Sequence, residues 1–240
     1  MRLVNAIAAL VIVGSAIVAV VVLRSPGPPP PVHHVLTGSD AAELRHIAAE
    51  VADYKPGSAD AAPTPPHPAP IDPFAAAHAG DWRASRLTND SKLGPIHAKA
   101  MHVVTTVGDD KIAIHTYGLV DGEAATRDSA TTEAPRHGAT FEQLVATDWP
   151  IPDFAVADAT YTASGRAFHC KKVTYREIDR VLPRKQITRE VWLSPDVPVD
   201  GVVATHEVQT IDNLTFTMTE ELVGFGNGSA TAWGARPAGL

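Results

Sequence analysis

The distribution of apolar and polar side chains divides the chain into three stretches. Residues 6–23 are a run of 18 uncharged positions, nearly all of them apolar. Residues 25–78 hold 12 of the 20 prolines. From about residue 79 onward, apolar residues recur at every second position. A period of two is typical of half-buried strands, so the third stretch predicts a β-sheet domain.

The clearest strand is predicted at residues 214–225. Its two faces differ in polarity, which is typical of an antiparallel strand with one buried side. One face carries Leu214, Phe216, Met218 and Leu222, whereas the other carries Thr215, Thr217, Thr219 and Glu221. We expect the first face to point into the domain.

Further strands are indicated around turn signals at residues 108–110, 164–165 and 212–213. They add up to about eight strands over residues 79–226, with one short helix at 140–147 and no helices between consecutive strands. This pattern predicts a mainly β domain built on a single curved antiparallel sheet, a half-barrel or barrel-like arrangement. A two-sheet sandwich is the alternative.

The apolar run predicts a membrane anchor at residues 1–24. Counted from Leu3 it has 21 residues, which span roughly 31 Å as a helix, the thickness of a bilayer's hydrocarbon core. The run is longer than the core of a signal peptide and no small-residue cleavage site follows, so we expect residues 3–23 to stay in the membrane uncleaved. Arg2 and the terminal amine outweigh Arg24 and favour a cytoplasmic N-terminus, with the remainder extracytoplasmic.

Residues 25–78 are predicted to form a stiff stalk, because proline at this density favours extended polyproline II. Within it, Leu44, Ile47, Val51 and Tyr54 have helical spacing and predict an amphipathic helix at residues 40–55. We expect this helix to dock on the β-domain. Self-association into a homo-oligomer is the alternative, and binding to the membrane surface is the least favoured. Residues 227–240 are expected to be a flexible tail.

Charge and cysteine content exclude several classes of protein. The chain has 27 acidic and 20 basic residues and a net charge of −7, with no basic cluster. Phosphate contacts need concentrated Lys and Arg, so we expect no nucleic-acid partner. A single cysteine excludes an internal disulfide and any multi-cysteine metal site. We expect no cofactor, since no glycine-rich nucleotide loop precedes a helix.

Two sets of reactive side chains suggest catalysis or metal binding. His169 and Cys170 are adjacent, but neighbours on a strand point to opposite faces, so this histidine cannot act as the base for the thiol. Cys170 shares a face with Phe168, which predicts a core residue. The 11 histidines show no HExxH or HxH spacing. Those on predicted strands are His102, His115, His169 and His206. We therefore expect no catalytic residue and no metal.

The order and spacing of several strand and turn motifs resemble a known group of proteins. The motifs are Gly80-Asp81-Trp82, the segment from Gly165 to Cys170, the segment from Val191 to Pro198, the segment from Asp200 to Val203, and the segment from Leu222 to Gly226. Across residues 79–226 the chain resembles secreted bacterial envelope proteins built from one curved antiparallel sheet. More distantly it is similar to periplasmic lipoprotein-carrier half-barrels, a resemblance that implies an apolar ligand in the concave face.

These observations favour a membrane-anchored extracytoplasmic binding module for a lipid, a peptide or an envelope protein. A structural or assembly role for the stalk is one alternative, and a hydrolase with a site in the sheet's concavity is another. The Pro195–Pro198 connection is either a rigid crossover or a lip of the ligand groove. The predicted ligand-binding residues are Phe216, Met218, Leu222, Trp192 and Val197.

Overall fold

The computed structural model describes residues 66–90, 95–120, 131–145, 147, 151–179 and 182–228, together with five positions between 42 and 50 and four between 230 and 235. The predicted anchor at residues 1–24 and most of the predicted stalk lie outside the described residues. Within the part that is described, no helix is long and apolar enough to cross a membrane.

Nine strands form one open antiparallel sheet, in the order β4-β3-β2-β1-β9-β8-β7-β6-β5. The strands are β1 Asp81–Asp90, β2 Ile96–Val107, β3 Lys111–Val120, β4 Thr131–Pro135, β5 Phe154–Ala163, β6 Arg166–Ile178, β7 Gln186–Leu193, β8 Val202–Ile211 and β9 Leu214–Asn227. A two-stranded pair, β10 Ala230–Thr231 and β11 Gly234–Ala235, lies inside the segment predicted to be a flexible tail.

A mainly β fold with a single antiparallel sheet is confirmed, and the sandwich alternative is wrong. Strand β4 was not predicted. It is a short edge strand of polar residues ending in proline, with Ala134 as its buried residue, so it lacks the alternation that marks a half-buried strand. The predicted helix at 140–147 is shorter than expected, since the helix α1 spans Phe141–Leu144.

The main core lies on the concave side of the sheet. Phe141 and Leu144 of α1, with Phe74 of a 3-10 helix at Pro73–Ala76, are buried there. This one cluster also holds buried residues from both arms of the sheet, Val104, Ile112 and Ile114 from β2 and β3, and Val173, Tyr175 and Val191 from β6 and β7. The sheet is therefore curved around these two short helices.

A second core cluster lies at the tip of the β5–β6 hairpin. The Ser164 hydroxyl donates hydrogen bonds to the carbonyls of Leu222 and Val223, at 2.9 and 2.7 Å. Cys170 is buried here beside Phe168, as the sequence predicts, and burial raises the pKa of its thiol. The hydrogen bonds from Ser164 hold the tip of the hairpin against β9.

The N-terminal helical positions touch the body. Ala42, His46, Ile47, Ala49 and Glu50 are helical. Ile47 is buried in a cluster with Leu182, Ile211 and Leu214. Glu50 forms a 2.5 Å ion pair with Arg184. Ile47, one of the residues that predicted the stalk helix, thus contacts the body in the docked manner expected.

Candidate functional site

A cavity of about 380 Å³ lies between the concave face of the sheet and helix α1. Its apolar lining includes Leu144, Val191 and Met218. Its polar lining comes from many elements, and its largely buried charged groups lie on β1, β7 and β9 and on the loop before β8. Cavities of this size, with an apolar wall and a few converging polar groups, are typical of small-molecule sites.

One wall of the cavity is built on a buried arginine. Arg83 Nε lies 2.5 Å from Asp200 Oδ1, and its Nη1 donates to Glu220 Oε1 at 2.7 Å. The Ser85 hydroxyl donates to the same Glu220 oxygen at 2.6 Å. Burial opposes ionisation of Glu220, but the Arg83 guanidinium and the hydrogen bond from Ser85 lower its pKa to about 2. We call Arg83, Asp200 and Glu220 the Arg83 triad.

His102 lies beside this triad on the neighbouring strand, paired in register with Arg83. Its Nδ1 is 3.2 Å from the Thr116 hydroxyl, and both residues line the cavity. Burial and the charge of Arg83 lower the pKa of the imidazole to about 4. His102 is therefore neutral at physiological pH.

The loop before β8 directs Asp200 towards Arg83. Val199 is fully buried and has a φ of 81°, a conformation that a β-branched residue rarely adopts. Asp200 Oδ1 also accepts a hydrogen bond from the Val202 amide at 3.0 Å. Gly201 has a φ of 75°, and a Cβ there would lie 2.5 Å from Ile71 Cδ1. Strained backbone held by its surroundings is typical of functional sites.

A second arginine lies on the neighbouring part of the same face. Arg189 donates from Nε to Glu207 and from Nη1 to Glu177 Oε1, the latter at 2.9 Å. Gln209 also donates to Glu207. Glu207 has no exposed surface and Glu177 is 4% exposed, and burial raises the pKa of Glu177. We call Arg189, Glu177 and Glu207 the Arg189 triad.

Helix α1 covers the cavity and is held in place by a distant segment. Thr140 and Gln143 form a capping box at its start. The amide of His67 donates to both oxygens of Glu142, and its Nδ1 is 2.7 Å from Glu142 Oε1. The His67 ring stacks on Phe154, with centroids 4.5 Å apart. Partial burial opposes ionisation of Glu142, but hydrogen bonds, chiefly those from His67, lower its pKa.

The arrangement supplies apolar and polar contacts for a ligand. A hydroxyl does meet an imidazole in the described lining, Thr116 with His102, but a pKa of about 4 makes this imidazole a weak base. Ser85 is fully buried and donates to Glu220, which with a pKa of about 2 is a weak base. Cys170 belongs to the hairpin-tip cluster and not to the cavity lining. Among the described residues, no group of three or more His, Cys, Asp or Glu side chains is placed to hold a metal ion.

The structure places the five predicted ligand residues in three different surroundings. Met218 lines the cavity. Phe216 is half-buried and packs at the cluster that holds Ile47. Leu222, Val197 and Trp192 belong to the hairpin-tip cluster, where Val197 is fully buried. Of the five predicted residues, Met218 alone lines the cavity.

The residues that sequence reasoning missed are the charged ones. Glu220 falls at the same parity as Phe216 and Met218, and Arg189 falls at the same parity as the buried Ile187 and Val191. A charged residue at an apolar position of an alternating strand is a signal for a buried, paired charge. That signal was present in the sequence for both residues. For Arg83 and Asp200, the pairing depends on how β1 and the loop before β8 meet.

No family model matches the chain, and no curated protein matches it. Among solved structures, the chain is similar to a candidate exported protein with a YMCC-like fold from Bacteroides fragilis (11% identity, TM-score 0.42, 63% of this chain and 97% of that one). It is also similar to a candidate lipoprotein from Parabacteroides distasonis (13% identity, TM-score 0.41, 66% and 100%). An S-type phycobiliprotein lyase from Guillardia theta follows (11% identity, TM-score 0.35, 65% and 92%). Likenesses this remote carry no argument about function.

Proposed function

We propose that the β-domain is an extracytoplasmic binding module that holds a small, mostly apolar ligand in the cavity beneath α1. Residues 3–23 would anchor it in the membrane, and residues 25–78 would hold it away from the surface. The observation that carries the proposal is the cavity itself. It lies on the concave face, the side on which the resemblance to carrier half-barrels expects a ligand.

The lining of the cavity supports binding over catalysis. Apolar side chains such as Met218 and Leu144 supply contact area, while Arg83 and Glu220 supply fixed polar groups whose mutual hydrogen bonds keep them in one geometry. Such pre-organisation reduces the entropy lost on binding. The hydrolase alternative has less support, because the imidazole beside the Thr116 hydroxyl has a pKa of about 4 and is a weak base.

The alternative partners are a peptide or another envelope protein, and self-association through helix 40–55 is a further one. Ile47 is buried against Leu182, Ile211 and Leu214. A residue that already packs on its own body is less available to a second copy. This contact supports docking of the helix and makes the cavity the better candidate for function.

The proposal is tested by filling the cavity. Ala100 lines it and is 1% exposed, so Ala100→Phe places an aromatic ring in the space. Phenylbutanol, a neutral probe with an apolar body, is titrated into the purified full-length protein and heat is measured. We expect the wild type to bind and Ala100→Phe to lose binding.

The matched control is Ala155→Phe, the same change at an exposed position of β5. It should bind phenylbutanol as the wild type does. Circular dichroism of all three proteins checks that the sheet is intact. Equal binding by Ala100→Phe and the wild type would show that the cavity is not the ligand site.

A further inference from the structure

We propose that the cavity selects a ligand carrying a positively charged amine at one end of an apolar body, and that Glu220 receives the amine. The inference rests on the proposed function, because it takes the cavity to be the ligand site. It starts from the count and pairing of charges at the cavity wall.

The carboxylates at the wall outnumber the cations. Arg83 and Arg189 are the guanidinium groups of the described lining. The described carboxylates of the lining are Glu133, Glu142, Asp200 and Glu220. Glu133 is paired with Lys111 and Glu142 contacts His67, so the excess of negative charge lies at the Arg83 triad. The Arg83 triad alone holds one positive and two negative groups, a net charge of −1. An uncompensated charge in a poorly solvated space is costly, so a cationic ligand group would be stabilised there.

The two arginines are already engaged, which disfavours an anionic ligand. Arg83 meets Asp200 and Glu220, and its side chain is 4% exposed. Arg189 meets Glu177 and Glu207, and its side chain is 9% exposed. A ligand carboxylate would have to displace one of these partners or lie beside them as another like charge. Each alternative opposes binding of an acid.

His102 does not supply the missing positive charge. Its imidazole lies between the charge of Arg83, which disfavours protonation, and those of Asp200 and Glu220, which favour it. Burial and Arg83 prevail, and the pKa of His102 stays near 4. At neutral pH the compensating charge must therefore come from outside this group.

Glu220 is the best placed receptor for an amine. Its two hydrogen bonds from the described residues, from Arg83 and from Ser85, go to Oε1. Its side chain is 15% exposed, and the residue lines the cavity. Met218, two residues earlier on the same face of β9, lies where it can contact the apolar body. One strand thus offers both an acceptor and an apolar contact.

Three probes with the same body separate the headgroups: phenylbutylamine, phenylbutanol and phenylbutyrate. Each is titrated calorimetrically into the full-length protein at neutral pH, with a buffer blank. We expect the amine to bind at least about tenfold more tightly than the acid, since a hydrogen bond to an ionised group contributes about that factor. The alcohol should fall between them.

The matched variants are Glu220→Gln and Glu221→Gln, adjacent residues of β9, of which Glu221 is exposed and outside the cavity lining. Glu220→Gln should abolish the preference for the amine over the alcohol, while Glu221→Gln should keep it. If Glu220→Gln does not fold, the ranking of the three probes on the wild type decides the matter. Tighter or equal binding of the acid, with the alcohol bound, overturns the amine inference alone. Absence of binding by all three overturns the proposed function as well.

Discussion

The two arginine triads of the concave face each pair one arginine with two carboxylates, but their surroundings differ. In the Arg189 triad, the side chains of Glu207 and Glu177 are 0% and 1% exposed. In the Arg83 triad, the side chains of Asp200 and Glu220 are 10% and 15% exposed. The carboxylates of the Arg83 triad therefore face the cavity, whereas those of the Arg189 triad lie deeper.

This difference in surroundings shifts the pKa values of Glu177 and Glu220 in opposite directions. Burial raises the pKa of Glu177 even though Arg189 lies beside it. Burial acts on Glu220 in the same sense, but Arg83 and Ser85 outweigh it and bring the pKa to about 2. Glu220 is thus held in its charged form at the cavity wall, where a ligand can reach it. The comparison suggests that one triad stabilises the fold and the other recognises a ligand.

The largest expected effect is the loss of the buried cation. Arg189→Met leaves Glu177 and Glu207 together without a partner charge, and removal of one member of a buried pair costs about 3–5 kcal/mol. Arg83→Met should cost less, roughly 1–3 kcal/mol, because water in the cavity can solvate Asp200 and Glu220. Denaturant unfolding of both variants measures the free energies. A larger loss for Arg83→Met would reverse the assignment of the two triads.

The pH dependence of stability should show the sign of the Glu220 shift. Its folded-state pKa of about 2 lies below the ordinary value of 4.5. Its contribution is therefore fully present above about pH 4.5 and is lost as the pH falls towards 2. We expect the stability difference between the wild type and Glu220→Gln to shrink by on the order of 2–3 kcal/mol over that range. Unfolding free energies at several acidic pH values measure it.

The contribution of Glu177 to stability should change with pH in the opposite direction, which makes it a comparison for the Glu220 test. Its raised pKa means that the folded state favours the protonated form, so its contribution falls as the pH rises through the ordinary carboxylate range. Glu177→Gln should therefore become relatively more stable than the wild type as the pH rises. Parallel pH profiles for the two variants would contradict the distinction between the triads.

The register of β9 places Glu220 on the same face of the sheet as Glu207 of β8. Substitutions on the two faces of β9 test this register. Phe216 pairs with the buried Gln209, and Met218 pairs with Glu207. Phe216 is half-buried, so Phe216→Ala should cost about 2 kcal/mol, below the value for a fully buried aromatic. Thr217→Ala on the opposite face should cost under about 0.5 kcal/mol. A larger loss for Thr217→Ala would place the threonine face inside.

A smaller effect than that of Phe216→Ala is expected from loss of the Ser85 hydroxyl. Ser85→Ala removes one of the two hydrogen bonds to Glu220 Oε1 and should cost about 1.5 kcal/mol. It should also raise the pKa of Glu220, because a hydrogen bond to the ionised form is lost. The carbon-13 shift of the Glu220 carboxyl, followed against pH, reports that change. An unchanged titration would mean that the hydrogen bond from Ser85 does not contribute to the lowered pKa.

The sheet could be predicted from the sequence because its signals are local. Phe216 and Met218 alternate with threonines, and Ser164-Gly165 marks a turn between two strands. These patterns require only neighbours along the chain. Strand β4 was missed because Thr131–Pro135 is a polar edge with one buried residue.

The candidate site depends on contacts between distant residues, and for that reason most of it could not be predicted. Glu142 meets His67 across 75 positions, and Arg83 meets Glu220 across 137. Neither pairing produces a periodic pattern in the sequence. The predicted ligand residues Trp192, Val197 and Leu222 were chosen as apolar groups, and packing placed them in the hairpin-tip cluster instead. The informative local signal was a charged residue at a strand position whose neighbours two residues away are apolar, as at Arg189 and Glu220.

A crystal structure of the full-length protein with phenylbutylamine tests the central claim most directly. The account predicts the phenyl ring against Met218 and Leu144, with the ammonium nitrogen at hydrogen-bond distance, about 2.7–3.2 Å, from Glu220. The pairing of Arg83 with Asp200 should be unchanged. A ligand bound at the surface near Trp192, or a cavity that holds only water at saturating amine, would contradict the account.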